Sequence, residues 1–146
     1  YEIQTAWLND QQRAAIRHVW TSQDQLMMVR GGAGVGKTTL MGEAVAGITA
    51  GGHKCFVFAS TVPATEVLRV DGFKGAQTVQ KLIASMQLQL ELGRGAVIWV
   101  DEAGLIDMET MHRLFQLAEQ HRWRVILSGD EKQHSPVRRG DAMRLL

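Results

Sequence analysis

The chain has little that would tie it to a membrane, to an oxidising compartment or to several domains. Among its 146 residues the single cysteine is Cys55, so an internal disulfide is excluded and a reducing compartment is favoured. There is no signal peptide and no run of about 18 apolar residues, so we expect a cytoplasmic location without a membrane span. No repeat, low-complexity tract or Pro/Gly-rich linker divides the sequence, and its length suits one domain with a sizeable core.

Charge and histidine content point to no ligand by themselves. The net charge is +1, so composition alone does not indicate a nucleic-acid binder. The five histidines show no metal-ligand spacing, and we predict no metal cage among them. Basic residues crowd the last quarter of the chain, where they either pair with acids on a solvated surface or face a partner. These residues are Arg122, Arg124, Lys132, Arg138, Arg139 and Arg144.

The most informative segment is the glycine-rich stretch VRGGAGVGKTT at 29–39, which matches G-x-x-x-x-G-K-[ST]. Glycines allow backbone N–H groups to point at phosphate oxygens, Lys37 adds a positive charge near the β and γ phosphates, and Thr38 can ligate Mg²⁺. A helix that follows the loop presents its positive end to the same anion. The residues predicted to hold the triphosphate are Gly32, Ala33, Gly34, Val35, Gly36, Lys37, Thr38 and Thr39.

Hydrophobic patterning predicts alternating strands and helices. Short apolar runs predict four strands, at 26–30, 54–59, 96–100 and 124–127. Helical spacing predicts helices at 9–20, from the glycine loop to about 50, within 61–70, from Thr78 onward, and after a cap at Asp107. The helix from Thr78 is expected to bury a stripe formed by Val79, Leu82, Ile83, Met86 and Leu90.

Wholly apolar strands that alternate with helices indicate an α/β fold, a parallel sheet covered by helices on both faces. Ligands of such folds bind beyond the carboxyl ends of the strands. Polar residues follow all four predicted strands. They are the glycine loop, Ser60-Thr61, Asp101-Glu102 and Gly129-Asp130. We therefore expect the chemistry at one edge of the sheet.

The segment VDEAG at 100–104 directly follows the third predicted strand. An aspartate at a strand end near a phosphate loop is placed to hold Mg²⁺, which makes Asp101 the predicted metal residue. The adjacent Glu102 can orient and deprotonate a water that attacks the γ-phosphate. Kinases need no such residue, because their nucleophile is the substrate, so the pair favours hydrolysis over phosphoryl transfer.

Two further segments admit both a structural and a functional interpretation. In GDEKQ at 129–133, Gln133 lies just past the fourth strand and can contact the γ-phosphate, although the segment alone is equally typical of a surface turn. In LNDQQ at 8–12, Asn9 and Gln12 have the spacing of a helix capping box. A glutamine amide also suits the N6/N7 edge of adenine. The residues leave both roles of Gln12 open.

In this order and spacing, the segments resemble the first RecA-like domain of a superfamily 1 helicase, in the RecD-like branch that moves 5′ to 3′. LNDQQ resembles the Q motif, GGAGVGKTT motif I, ASTVPA motif Ia, AQTVQKL motif Ib, DEAG motif II and GDEKQ motif III. The similarity runs from Leu8 to Leu146. The sequences that flank the motifs, notably VRGGAGVGKTTLM and GDEKQHSPVRRGDAMRLL, are most similar to the helicase region of TrwC/TraI-like conjugative relaxases.

This resemblance implies a RecA-like P-loop fold with the four strands in the order 2-3-4-1. It implies that Gln12 contacts adenine, that Lys37, Glu102 and Gln133 are catalytic, and that ATP and Mg²⁺ are the cofactors. Thr38 and Asp101 would bind the metal.

The resemblance also implies partners. Thr61 and Thr78 would contact phosphates of single-stranded DNA, although Ser60 stands where this branch usually has proline, which puts Thr61 in doubt. A second RecA-like domain of the same polypeptide would complete the motor, and other conjugation proteins are possible partners. We interpret 1–146 as one RecA-like domain, without the second motor domain and the relaxase domain, and the start at Tyr1 as a sign of an excised piece.

The resulting prediction is an ATP-binding and hydrolysis domain of a DNA helicase that translocates on single-stranded DNA during plasmid transfer. The isolated domain is expected to be nearly inactive, because an arginine finger from a second domain contributes about 10³–10⁵ in rate in comparable reactions. Two alternatives stay open. One is a nucleotide-dependent module that binds single-stranded DNA or a partner without catalysis, and the other is a P-loop kinase.

Overall fold

The computed structural model describes residues 1–30 and 37–129 of the chain, without the side chains of Arg30 and Lys37. This part forms a five-stranded sheet in which every strand pair is parallel. The strands are β1 (Leu26–Arg30), β2 (Cys55–Ala59), β3 (Gln77–Thr78), β4 (Val97–Asp101) and β5 (Arg124–Gly129). The helices are α1 (Asp10–Thr21), α2 (Lys37–Ala50), α3 (Val62–Val70), α4 (Val79–Ala84), α5 (Met86–Leu92) and α6 (Met108–His121).

The strand order confirms the predicted topology. The sheet runs β1-β5-β4-β2-β3. Its four longer strands, numbered one to four along the chain, therefore lie in the order 1-4-3-2, which is the predicted 2-3-4-1 seen from the other edge. The two-residue strand β3 was not predicted. It pairs with the end of β2, where Phe58 faces Gln77 and Ala59 faces Thr78.

Helices cover both faces of the sheet, as the apolar strands predicted. All five residues of β4 are buried, because this strand lies in the middle of the sheet and has packing on both sides. On one face Ile98 and Val100 pack with Leu114 of α6 and with Trp123. On the other face the core is formed by residues of β4, α1 and α2, namely Trp99, Ile16, Val19, Met41 and Ala44.

A close contact joins α1 to α2. The indole Nε1 of Trp20 donates a hydrogen bond to the carbonyl oxygen of Ala44, at 3.0 Å. The ring lies directly over Gly47, and a Cβ atom at that position would overlap it. Ile16 and Val19 of α1 are fully buried, and Trp20 joins α1 to α2 through its indole nitrogen.

The long helix predicted from Thr78 was wrong in one respect. It breaks at Ser85, whose backbone is extended and whose side chain caps a new helix by accepting from Leu88 N, at 3.1 Å. The break rotates the second half, so that Met86 and Leu90 are 73% and 70% exposed although the stripe placed them inside. Leu88 and Leu92 are buried instead.

No helix within the described residues is long and apolar enough to cross a membrane.

Candidate functional site

A cleft of about 400 Å³ opens beyond the carboxyl ends of β2 and β4. Its polar lining comes from three segments of the chain, namely the start of α2, the two ends of α3 and the end of β4. These residues are Thr38, Thr61, Asp71, Asp101 and Glu102. One apolar wall is formed by residues of α3, namely Pro63, Ala64, Val67 and Leu68. The cleft combines oxygen ligands with an apolar wall, as small-molecule sites commonly do.

Asp101 is the last residue of β4 and is 8% exposed. Its Oδ1 accepts a hydrogen bond from Ser128 Oγ of β5, at 3.2 Å. Ser128 Oγ in turn accepts from the indole Nε1 of the buried Trp99, at 2.8 Å. This buried chain of donors holds the carboxylate in one orientation at the floor of the cleft. A carboxylate held in this way suits a metal ion or its bound water.

Glu102 lies next to it with an unusual backbone. Its φ and ψ are 54° and 44°, which is the left-handed region. Non-glycine residues there are uncommon, and the conformation costs about 1–2 kcal/mol. The carbonyl oxygen of Glu102 accepts from Leu105 N at 3.1 Å and so starts a short 3₁₀ turn, Ala103–Leu105. This turn redirects the chain out of β4 and leaves Glu102 half-buried on the border of the cleft.

Thr38 is the second residue of α2 and is exposed. Its Oγ1 donates to Asp71 Oδ2 at 3.4 Å. Sequence reasoning missed Asp71, which precedes Gly72 at the end of α3 and is typical of a helix stop. No local signal connects it with Thr38, because the contact is purely tertiary. Thr39, which is also a predicted ligand in α2, is half-buried.

The two predicted DNA residues both cap helices. Thr61 Oγ1 accepts from Ala64 N at 3.2 Å and caps α3, and Thr78 Oγ1 accepts from Lys81 N at 3.1 Å and caps α4. Thr61 borders the cleft, whereas Thr78 is not among its described lining residues. Ser60, which precedes Thr61, has a buried hydroxyl without a hydrogen-bond partner in the part of the chain that the structure describes.

Gln12 is also engaged in a helix cap. Its Oε1 accepts from Asn9 N at 2.8 Å, and Asn9 Oδ1 accepts from Gln12 N at 2.8 Å. The capping box, one of the two roles that the sequence allowed for Gln12, is therefore present. Gln12 does not border the cleft in the described residues. Its amide nitrogen is the group left for a ligand.

Several predicted site residues lie outside the described residues. They are Gly32, Ala33, Gly34, Val35, Gly36 and Gln133, together with the side chain of Lys37. The basic residues Lys132, Arg138, Arg139 and Arg144 also lie outside them.

Comparison with known proteins agrees with this arrangement. Residues 7–146 match the AAA domain family, and the chain therefore belongs to that family. It is similar to the probable conjugal transfer protein TraA of Sinorhizobium fredii, with 30% identity over 144 residues. It is also similar to the conjugal transfer protein TraA of Rhizobium radiobacter, with 31% identity over 144 residues. The alignments cover 95% of this chain but 13% of each relative, so the chain spans a small part of their length.

Solved structures share the fold. The Pif1 helicase of Candida albicans has a TM-score of 0.65 at 18% identity, over 86% of this chain and 33% of that one. A Bacteroides Pif1, solved in complex with ADP-AlF4, has a TM-score of 0.62 at 15% identity, over 94% of this chain and 36% of that one. These likenesses confirm the predicted RecA-like α/β fold. The TraA relatives, which are named as conjugal transfer proteins, agree with the predicted resemblance to a region of a conjugative protein.

Proposed function

We propose that this chain is the ATP-binding and hydrolysis domain of a DNA helicase that translocates on single-stranded DNA during conjugative transfer. The observation that supports this most strongly is the meeting of Thr38, Asp101 and Glu102 around one cleft. Thr38 is distant in sequence from the adjacent pair Asp101 and Glu102, and these are the three residues that the motifs assign to the metal and to the attacking water. The TraA relatives are named as conjugal transfer proteins, which supports the conjugative setting.

The triphosphate would bind at the start of α2. This helix begins at Lys37 and has 14 residues, so its first turn offers unsatisfied N–H groups and the positive end of a helix dipole. The glycine pattern at 31–36 and Lys37 would wrap the β and γ phosphates. Gln12 would contact adenine, and Gln133 would sense the γ-phosphate.

The residues at the cleft fit Mg²⁺. Thr38 offers a hydroxyl and Asp101 a carboxylate, and oxygen ligands are those that Mg²⁺ prefers. Within the described residues no three His, Cys, Asp or Glu side chains come together as a metal site. One or two protein ligands beside substrate phosphates are the usual arrangement for Mg²⁺. When bound there, the ion would neutralise charge on the phosphate oxygens.

Glu102 would act as the general base. Its left-handed backbone keeps the residue on the border of the cleft, next to the buried Asp101. From there a carboxylate can take a proton from a water that attacks the γ-phosphate. A positioned base contributes about 10²–10⁴ in rate.

Single-stranded DNA would cross the edge of the sheet beside the cleft. Thr78 is the register partner of Ala59, and Thr61 follows Ala59 by two residues, so both hydroxyls lie at the carboxyl ends of β2 and β3. Each side-chain oxygen already accepts a backbone N–H and can still donate its proton to a phosphate. Such contacts would be independent of base sequence.

A second RecA-like domain of the same polypeptide would complete the active site. Charge from that domain would stabilise the transition state, as arginine fingers do. We therefore expect the 146-residue chain to bind Mg-ATP and to hydrolyse it very slowly.

Nucleotide binding is tested by titrating a fluorescent ATP analogue with Mg²⁺ into the chain and into its Lys37→Ala variant. We expect saturable binding that Lys37→Ala weakens strongly, because the variant removes the charge beside the phosphates. Equal binding by both proteins, or no binding by the wild type, would contradict the proposed nucleotide site.

Hydrolysis is tested in the full-length protein with Glu102→Gln. The variant should keep nucleotide binding and lose about 10²–10⁴ of DNA-stimulated turnover. Glu91→Gln, which neutralises an exposed acid on α5, is the matched control and should behave as wild type. Unchanged turnover in Glu102→Gln would favour a binding module without catalysis. Phosphate transferred to an added acceptor would indicate a kinase.

A further inference from the structure

Asp71 has a contact that its role as a helix end does not explain. It follows the last residue of α3, and its N–H donates to Val67 O at 3.0 Å, as expected for a C-cap. The next residue, Gly72, has φ +111° and turns the chain away. The carboxylate is not needed for any of this. Yet Asp71 Oδ2 accepts a hydrogen bond from Thr38 Oγ1 at 3.4 Å, across 33 residues of sequence.

The direction of that hydrogen bond matters for a metal ligand. A threonine hydroxyl has one proton and two lone pairs. It can offer a lone pair to a cation only when the proton points elsewhere, and a carboxylate is the strongest acceptor for it. Because Thr38 Oγ1 donates its proton to Asp71 Oδ2, neither of its lone pairs is used in this contact, and both residues border the same cleft.

We propose that Asp71 is a positioning residue for the divalent cation that accompanies the nucleotide. It fixes the proton of Thr38 and adds one negative charge to the cleft that holds Asp101 and Glu102. The inference rests on the proposed nucleotide-binding function and extends it to a residue outside the motifs.

The position of Asp71 is set by the rest of α3. Leu68 is buried at 4% exposure and anchors the last turn of the helix. Arg69 Nε donates to Ala76 O at 3.0 Å and ties that turn to the segment before β3. Both contacts remain when the Asp71 side chain is removed, so a variant should keep the helix in place. The distance of 3.4 Å exceeds the usual 2.5–3.0 Å for a hydroxyl donor, and we therefore expect a moderate effect.

The test measures how Mg²⁺ affects nucleotide binding, which does not require turnover. A fluorescent ATP analogue is titrated into the chain over a range of Mg²⁺ concentrations and also with a chelator. In Asp71→Ala the Mg²⁺ concentration for half-maximal enhancement of binding should rise about tenfold, the lower end for second-sphere partners of metal ligands. Metal-free binding should not weaken, because the variant removes a negative charge that would repel the phosphates of the free nucleotide. Asp71→Asn, which keeps an acceptor oxygen but no charge, should lie between the two.

Glu66→Gln is the matched control, because it removes an exposed charge from the same helix, where Glu66 pairs only with Arg69 in the described residues. It should leave the Mg²⁺ dependence unchanged, and thermal unfolding should show all variants folded. A wild-type Mg²⁺ dependence in Asp71→Ala overturns the inference. A lower Mg²⁺ requirement overturns it too, since the contact would then be inhibitory. If the wild type binds no nucleotide, the proposed function itself fails, which is a distinct result.

Discussion

Ser128→Ala tests whether the buried hydrogen bonds that join Trp99, Ser128 and Asp101 stabilise the fold and hold the carboxylate of the site. Ser128 is 5% exposed, and its hydroxyl accepts from Trp99 Nε1 at 2.8 Å and donates to Asp101 Oδ1 at 3.2 Å. Trp99 is fully buried, so water cannot replace the lost acceptor. The substitution therefore leaves an indole N–H without a partner and removes one donor from a buried carboxylate.

The two losses are of similar size. A buried donor left unsatisfied costs about 1–3 kcal/mol, and a hydrogen bond to a charged group contributes about 1.5–3 kcal/mol. Both hydrogen bonds are lost with one hydroxyl, so their contributions overlap, and the small serine leaves little empty volume. We therefore expect the free energy of unfolding to fall by about 2–3 kcal/mol. For a chain of this length that corresponds to a melting temperature lower by about 5–10 °C.

A double-mutant cycle of Ser128→Ala with Trp99→Phe, followed by urea and thermal unfolding, would measure the contribution of the hydrogen bond between these two side chains. Trp99→Phe removes the N–H and most of the ring volume stays. In the double variant no unpaired indole donor remains, so its loss should be smaller than the sum of the two single losses by about 1 kcal/mol. Additive losses within about 0.5 kcal/mol, or a Ser128→Ala protein as stable as wild type, would refute the reasoning.

Three further predictions concern packing, backbone strain and reactivity. Gly47→Ala should lower stability by about 1–3 kcal/mol, because the added Cβ atom overlaps Trp20. Gly42→Ala in the same helix places its Cβ atom where nothing lies within 4 Å, and it should raise stability by about 0.5–1 kcal/mol. Thermal unfolding of both variants checks the sign of each change. Glu102→Gly and Arg122→Gly each relieve a left-handed backbone and should stabilise by about 0.5–1 kcal/mol, but only the first should abolish turnover in the full-length protein. Burial raises the pKa of the Cys55 thiol to about 12, although the charge of Arg124 opposes the shift. At pH 8 iodoacetamide should therefore label Cys55 much more slowly in the native chain than in the urea-unfolded one, as mass spectrometry would show.

Much of the fold follows from local pattern. The four longer strands are apolar runs, because a strand that is covered on both faces must be apolar on both. The predicted bounds of β4 and its neighbours are therefore close to the observed ones. The cap of α6 was also predicted correctly, since Asp107 Oδ1 accepts from Thr110 N at 2.7 Å. These features depend on residues that are adjacent in sequence.

The errors arise where two local signals compete or where a contact is tertiary. The stripe through Met86 and Leu90 fits one long helix, but Ser85 provides a cap that starts a second helix and turns the stripe outward. Strand β3 has two residues, which are too few for a hydrophobic pattern. At the site, the position of Asp101 and Glu102 was predictable because Asp101 ends a strand and Glu102 follows it. Asp71 was not, because nothing in its own segment refers to Thr38.

Gln12 shows why a structural role and a binding role need not exclude each other. In the capping box its Oε1 accepts from Asn9 N at 2.8 Å, which uses one of two lone pairs and orients the amide plane. The Nε2 donors would then be free for the proposed contact with the N7 acceptor of an adenine. Gln12→Glu separates the two roles, because a carboxylate oxygen still accepts from Asn9 N while the donors are gone. Stability close to wild type with weaker ATP binding and lost preference for purine over pyrimidine nucleoside triphosphates would assign the amide to N7 of the base, whereas an unchanged preference would leave Gln12 with the helix cap alone.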